Sequence, residues 1–397
     1  MGRPAEEIRC RDGPADWVSI PVPLAASLRS VLTPTALFRL IVGWGVFLAL
    51  QLGAPLLAGG LPSLMLWLVL LAIVVVITLC AFGVVTEAEH LASRLGDPYG
   101  TLVLTLSIVL IEVILISSVL LGPGEHPTIA RDSVMAVSMI ILNLVIGIAL
   151  IVGGLRHPTR RVNRTGVSAY LALLVVLLAV AFVFPALLGV DGSYSLAQAI
   201  PIAVMTVLIY AFFLIRQMGA QRADFQEPDA SDADTARPRM VAVIAEHRAE
   251  LAGRAAMIVA TMVPIVLLAH DMAALLDDGL SRIGAPVALS GILIAMIVFL
   301  PETITTIRSA AAGEMQRVSN LCHGALVSTV GLTIPAVLVI GILTGQPIVL
   351  AESPTGLVLL LATMMLTLAT FAGRRVSALP GLAHLLLFFI YALSVFG

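Results

Sequence analysis

The chain has 397 residues, of which 59% are hydrophobic and only 12% charged, and its formal net charge is −2. A soluble domain carries about 25% charged residues, so this chain lacks the polar surface that water requires, and its mean hydropathy of +1.07 agrees. A soluble enzyme and a nucleic-acid-binding protein are excluded. Cys10, Cys80 and Cys322 are far apart and odd in number, which gives neither a disulfide framework nor a cysteine-rich metal site.

Residues 1–35 mix Arg and Asp without a continuous apolar core and read as a cytoplasmic N-terminal tail. About 20 consecutive apolar residues cross a bilayer as a helix, which satisfies its own backbone there. Such a stretch at 36–58 gives a leading helix. Five more, near 62–84, 98–121, 131–154, 166–189 and 197–217, make up a unit over 62–217. A polar connector, 218–248, carries the acidic run DFQEPDASDAD, which reads as a solvated linker. A second unit, 249–397, holds stretches near 249–276, 285–309, 318–345, 355–372 and 379–396. None of these runs alternates as a barrel strand does.

Orientation follows from the basic residues, all of them arginine. With the N-terminus in the cytoplasm, the inward segments collect nearly all of them, and the outward side keeps only Arg131 and Arg282. Adding or dropping one span scrambles this separation. The expected fold is therefore an all-α polytopic membrane protein of about eleven transmembrane helices, with the C-terminus outside. One leading helix precedes two five-helix repeats. An odd number of spans per repeat inverts one against the other, which is the layout of transporters whose site lies near the midplane.

The second span of each repeat carries one acid at similar depth: Glu112 in LVLTLSIVLIEVILIS and Glu302 in GILIAMIVFLPETITTIR. A carboxylate at the bilayer centre costs about 2.5–3.5 kcal/mol on insertion scales. No Arg or Lys lies at that depth to pair with either, so the missing partner is a proton or a bound cation. Desolvation and mutual repulsion favour protonation, and a cation between two carboxylates favours ionisation. A pair that must be neutralised before the protein reorients would exchange cations for protons. Oxygen ligands suit a hard cation such as Ca²⁺, and Na⁺ and K⁺ stay open.

Pro301, directly before Glu302, removes one helical hydrogen bond and frees a carbonyl. Ser138, Asn143, Ser328 and Thr329 on the following spans are candidate second ligands or interhelical partners. Glu87, Glu89, His90, His270, Asp271 and His323 are candidate proton-path groups, with headgroup contact or helix packing as the alternative. No Walker A motif, dinucleotide fingerprint or HExxH occurs. Transport must then draw on an ion gradient, with no cofactor beyond the transported Ca²⁺, Na⁺ or K⁺ and H⁺. The rival classes are an intramembrane enzyme and an uncoupled proton or cation channel.

The stretches RLGDPYGTLVLTLSIVLIEVILIS (94–117), LRHPTRRVN (155–163) and FLPETITTIRSAAAGEMQRVSNLCHGALVSTVGLTIP (299–335) resemble the calcium/cation antiporter superfamily. They are most similar to its bacterial ChaA-type calcium (sodium, potassium)/proton branch, from about residue 62 to the end, including AHLLLFF in the last span. The resemblance implies a secondary antiporter in a bacterial inner membrane, with Glu112 and Glu302 as the acidic residues of the central site. Calcium/proton exchangers of the wider superfamily carry Gly-Asn shortly before each acid; here the Asn positions read Val109 and Phe299, and a typical Gln aligns with Ser328. The ChaA-type branch shares those departures.

Overall fold

The structure, a computed structural model, describes residues 30–57, 61–95, 99–120, 127–228, 240–286, 288–373 and 376–396. Most of the N-terminal tail, the acidic residues Asp229, Asp232 and Asp234 of the connector, and Arg374 and Arg375 lie outside the described residues.

Among the described residues the fold is built from helices. They are α1 (Pro34–Leu57), α2 (Ser63–Leu95), α3 (Tyr99–Leu120), α4 (Ile129–Arg156), α5 (Arg164–Leu188), α6 (Leu196–Met218), α7 (Met240–Arg282), α8 (Ala288–Ala312), α9 (Met315–Thr344), α10 (Pro354–Ala372) and α11 (Ala378–Ser394). Eight of these, by length and composition, can cross a membrane, and the bent α8 makes a ninth. The chain is thus an all-helical, polytopic fold. Two helices outrun their apolar stretches: α2 continues past residue 84 to Leu95, and α7 starts at Met240, with a non-helical residue at His247 before its long apolar run.

Helix ends follow local chemistry. The Asn163 side chain accepts from Thr165 and Gly166 N–H at the start of α5, and Ser353 Oγ accepts from Gly356 N–H at the start of α10. Gly345, at φ +70°, closes α9 in the left-handed conformation that a Cβ disfavours. Two helices carry π-helical turns, Ile140–Val145 in α4 and Ala179–Val183 in α5.

The middle of the bundle is α4 and α9. In α4, 83% of the most apolar window is buried, against 11% in the peripheral α1. α2 packs along α7, α3 against α9, and α8 against α4. α6 lies on α9 and α11 on α4, while α3 also touches α7 and α8 touches α2. α4 and α11 cross so closely that a Cβ on Gly381 would sit 2.6 Å from the Gly147 carbonyl oxygen, the close approach that small residues permit between membrane helices.

The connector docks on the first turn of α9. Glu227 Oε1 accepts from Gln316 N–H at 2.8 Å and Arg317 N–H at 3.1 Å, and Asn320 Nδ2 donates to the Phe225 carbonyl at 2.7 Å. Glu227 so serves as a cap for a helix whose own N-cap, Glu314, makes no side-chain capping bond and instead accepts from Arg317 at 3.2 Å. Burial raises the Glu227 carboxyl above its ordinary value, against the lowering by the Arg317 and Gln316 N–H donors. The folded protein therefore holds this proton more tightly than the unfolded chain. The contribution is complete below the ordinary carboxylate value and is lost as pH rises through the raised one. Glu227→Gln, which keeps an acceptor oxygen, is expected to flatten this fall in melting temperature; a slope unchanged by the substitution would contradict the assignment.

Candidate functional site

Glu112 on α3 and Glu302 on α8 are 4% and 5% exposed, buried where their helices meet α4 and α9. Thr329 of α9 donates its hydroxyl to Glu112 Oε2 at 2.6 Å. Among the described residues, Glu112 Oε1 and both oxygens of Glu302 have no hydrogen-bond partner. The two carboxyl groups lie within electrostatic reach of each other, and among the described residues neither is in an ion pair.

α8 is bent by 54° between Leu289–Ile297 and Phe299–Ala312. Pro301 has no N–H for the carbonyl four residues back, at Ile297, so the ladder breaks where the bend falls. Thr303 adds to it by returning its hydroxyl to the Phe299 carbonyl at 2.8 Å. The bend points Glu302 into the bundle beside two small cavities. One of about 20 Å³ is lined by Glu112, Ser133, Val137, Gly291 and Phe299. The other, about 10 Å³, is lined by Glu302, Thr303, Thr306, Cys322 and Phe299. Each holds about one water-sized body. Phe299, 1% exposed, is the wall they share. A dehydrated ion or a proton fits here, and an organic substrate does not.

Of the candidate second ligands, Thr329 alone touches a glutamate. Ser138 returns its hydroxyl to the Val134 carbonyl at 2.7 Å, and Ser328 Oγ accepts from the Tyr210 hydroxyl at 2.9 Å. Asn143, in the π-helical turn of α4, donates to Thr363 Oγ1 at 2.8 Å, and its Oδ1 faces His384 Nδ1 at 3.2 Å. His384 Nε2 in turn meets Thr370 Oγ1 at 3.2 Å. This network joins α4, α10 and α11. The signal for it in the sequence was a lone histidine in the apolar run AHLLLFF.

The candidate proton-path groups scatter. Glu87 Oε2 is held by Arg254 at 2.6 Å, Arg254 also binds Glu250 at 3.1 Å, and Arg94 reaches the other Glu250 oxygen at 3.2 Å. This cluster ties α2 to α7 at the arginine-rich end of the bundle. Glu89 accepts from Thr305 Oγ1 at 3.4 Å, one turn of α8 from Glu302. His90 and His270 are exposed. Asp271 is half-buried, with Oδ2 unpartnered. His323 is fully buried, with Nδ1 bound to Ser319 Oγ at 2.9 Å and its ring edge-on to Phe371 at 4.9 Å. Arg254 and Phe299 were not singled out as partners of these acids by the sequence. No group of three or more His, Cys, Asp or Glu able to hold a metal occurs among the described residues.

The helical bundle buries two carboxyl groups that are in no ion pair among the described residues, each beside a cavity of ion size. The chain belongs to the sodium/calcium exchanger protein family, which it matches over residues 65–219 and 254–397. The gap between the two matched blocks falls on the connector. It is 30% identical over 322 residues to the sodium-potassium/proton antiporter ChaA of Escherichia coli (strain K12), covering 80% of this chain and 86% of that protein. It is 33% identical over 320 residues to the putative ionic transporter y4hA of Sinorhizobium fredii (strain NBRC 101917 / NGR234), covering 80% and 85%. Among solved structures it resembles native YfkE, with a TM-score of 0.66 at 17% identity over 90% of this chain and 99% of that one. It also resembles the H⁺/Ca²⁺ exchanger CAX, with a TM-score of 0.65 at 13% identity over 91% and 89%. At those identities the two structures speak for the fold. The chain is an integral membrane protein of a cation-exchanger family, as the sequence resemblance implied.

Proposed function

We propose that this protein is a secondary active cation/proton antiporter in which Glu112 and Glu302 bind either a cation or protons. The observation that carries the reading is three buried carboxylate oxygens without a partner, Glu112 Oε1 and both oxygens of Glu302. A native interior leaves such atoms orphaned rarely, and here the missing partner is the cargo. The doubly ionised, empty pair is the costly state, because each charge is desolvated and faces the other. Protons or a cation relieve that cost, and reorientation restricted to the neutralised forms makes exchange obligatory. One Ca²⁺ then balances two protons; Na⁺ or K⁺ balances one. The names of the relatives, a sodium-potassium/proton antiporter and an H⁺/Ca²⁺ exchanger, agree with this range of cargo. Phe299 and Val109, both buried and without oxygen ligands, favour a site that discriminates less sharply than one built with amides.

The reading includes eleven membrane crossings, as one leading helix and two inverted five-helix repeats. Its support is the exchange of packing partners: α3 on α9 mirrors α8 on α4, α6 on α9 mirrors α11 on α4, and α3 on α7 mirrors α8 on α2. The arginine distribution supports a cytoplasmic N-terminus and an external C-terminus, and the bacterial relatives support residence in a bacterial inner membrane.

The test is dissipation of an imposed proton gradient in proteoliposomes on addition of Ca²⁺, Na⁺ or K⁺. Cation-dependent proton movement with counter-flux of the cation is expected. Proton leak independent of any cation would indicate a channel instead. Thr329→Val is expected to raise the half-saturating cation concentration about tenfold, since a hydrogen bond to a charged group contributes about 1.5–3 kcal/mol; an unchanged value would remove Thr329 from the site.

A further inference from the structure

The two glutamates do not share a cavity. Glu112 lines the one of about 20 Å³, and Glu302 lines the one of about 10 Å³. Phe299 is the residue common to both linings, and its side chain is fully buried. The bend in α8 puts it there. Phe299 opens the segment Phe299–Ala312, which leaves Leu289–Ile297 at 54°, and Thr303 holds its carbonyl at 2.8 Å.

Each cavity has oxygen of its own to offer. In the cavity at Glu302, both carboxylate oxygens lack a hydrogen-bond partner among the described residues. Thr306 lines the same cavity, is fully buried, and its Oγ1 has no hydrogen-bond partner there either; the nearby Cys322 thiol is only a weak donor. In the cavity at Glu112, Oε1 is without a partner while Oε2 takes the Thr329 hydroxyl at 2.6 Å.

A Ca²⁺ that bridges two carboxylates must come within roughly 2.3–2.6 Å of an oxygen from each. Neither cavity is lined by both glutamates. Confined to one cavity, a divalent cation would meet a single carboxylate and keep one positive charge uncompensated in the protein interior, where such a charge is costly. A proton or a monovalent cation cancels one carboxylate in full.

We propose that Phe299 sets the charge class of the cargo: it divides the site into two compartments, in each of which one glutamate is neutralised by one monovalent cation or one proton, and it keeps a single divalent cation from bridging the pair. The inference rests on the antiport reading and names its cargo class. It also gives the missing amides a consequence. Each compartment tolerates monovalent ions of similar size, while the wall between them acts on charge.

The test counts ²²Na⁺ bound to the detergent-solubilised full chain in a scintillation proximity assay, with unlabelled Ca²⁺ as competitor at constant ionic strength. Native protein is expected to bind about two ²²Na⁺ per chain, one for each carboxylate, with half-displacing Ca²⁺ no lower than unlabelled Na⁺. Phe299→Ala joins the cavities, so that both carboxylates can surround one ion. There a single Ca²⁺ should displace both ²²Na⁺, and half-displacing Ca²⁺ should fall about tenfold or more, because affinity follows the number of charged ligands. A native chain in which one Ca²⁺ displaces both ²²Na⁺ would overturn the proposal and leave antiport standing, as would a folded Phe299→Ala protein with the native pattern. Native protein that binds neither ion would overturn the antiport reading and this inference with it. The native comparison decides the matter even if Phe299→Ala fails to fold.

Discussion

Glu302→Gln is expected to reduce cation/proton exchange by at least about 100-fold, a loss of roughly 2.7 kcal/mol in effective binding, while the protein still inserts and folds. Glutamine keeps the volume of the side chain but neither the charge that binds a cation nor the group that carries a proton. Glu112→Gln should behave alike in transport, because its amide oxygen can still accept from Thr329. Stability should move the other way. Each glutamate is a buried group held without the partners it needs, and replacing such a group is neutral or stabilising by about 1 kcal/mol. Initial rates in proteoliposomes, read with melting temperatures in detergent, check both halves. Full flux in either variant would take that glutamate out of the site, and collapse of the fold would make its role structural.

The second large effect is expected at the arginine-rich end. Arg254 and Glu87 are each 7% exposed and pair at 2.6 Å. Removing one member of such a pair strands a buried charge, which costs about 3–5 kcal/mol. Arg254→Met should therefore lower the melting temperature strongly, since Glu87 loses its cation and Glu250 keeps only Arg94 at 3.2 Å. The double variant Glu87→Gln/Arg254→Met should recover part of that loss, because no charge is left unpaired at position 87. Exchange, read at a temperature where the variants are folded, should survive. A double variant no more stable than Arg254→Met alone would show that the arginine acts through packing. Loss of exchange in folded Glu87→Gln would restore Glu87 to the proton path.

What was legible in the sequence follows from which forces act locally. The helices were visible because a chain in lipid must bond its own backbone, and only long apolar runs do so. Glu112 and Glu302 stood out because a carboxylate inside such a run has no local explanation. The bend in α8 was visible through Pro301, since the lost hydrogen bond is a property of that residue. The polar ends of α2 and α7 were missed because hydropathy registers only the part of a helix that is apolar. Partnerships were the least legible. Glu87 pairs with a residue 167 positions away, and Asn143 bonds across 220 and 241 positions. Nothing in the composition of α4 says that Asn143 faces α10 and α11 while Thr329, from α9, reaches Glu112. Those contacts are set by how the bundle packs.

The most direct measurement is proton release on cation binding, made with detergent-solubilised protein in a weakly buffered solution. If cations and protons compete for the same carboxylates, adding a saturating cation should release up to about two protons per chain, one from each carboxyl group that must ionise. Release should rise as pH falls toward the range where the pair is fully protonated, and it should vanish in Glu112→Gln/Glu302→Gln. Cation binding without proton release, or release that persists in the double variant, would contradict exchange through this pair.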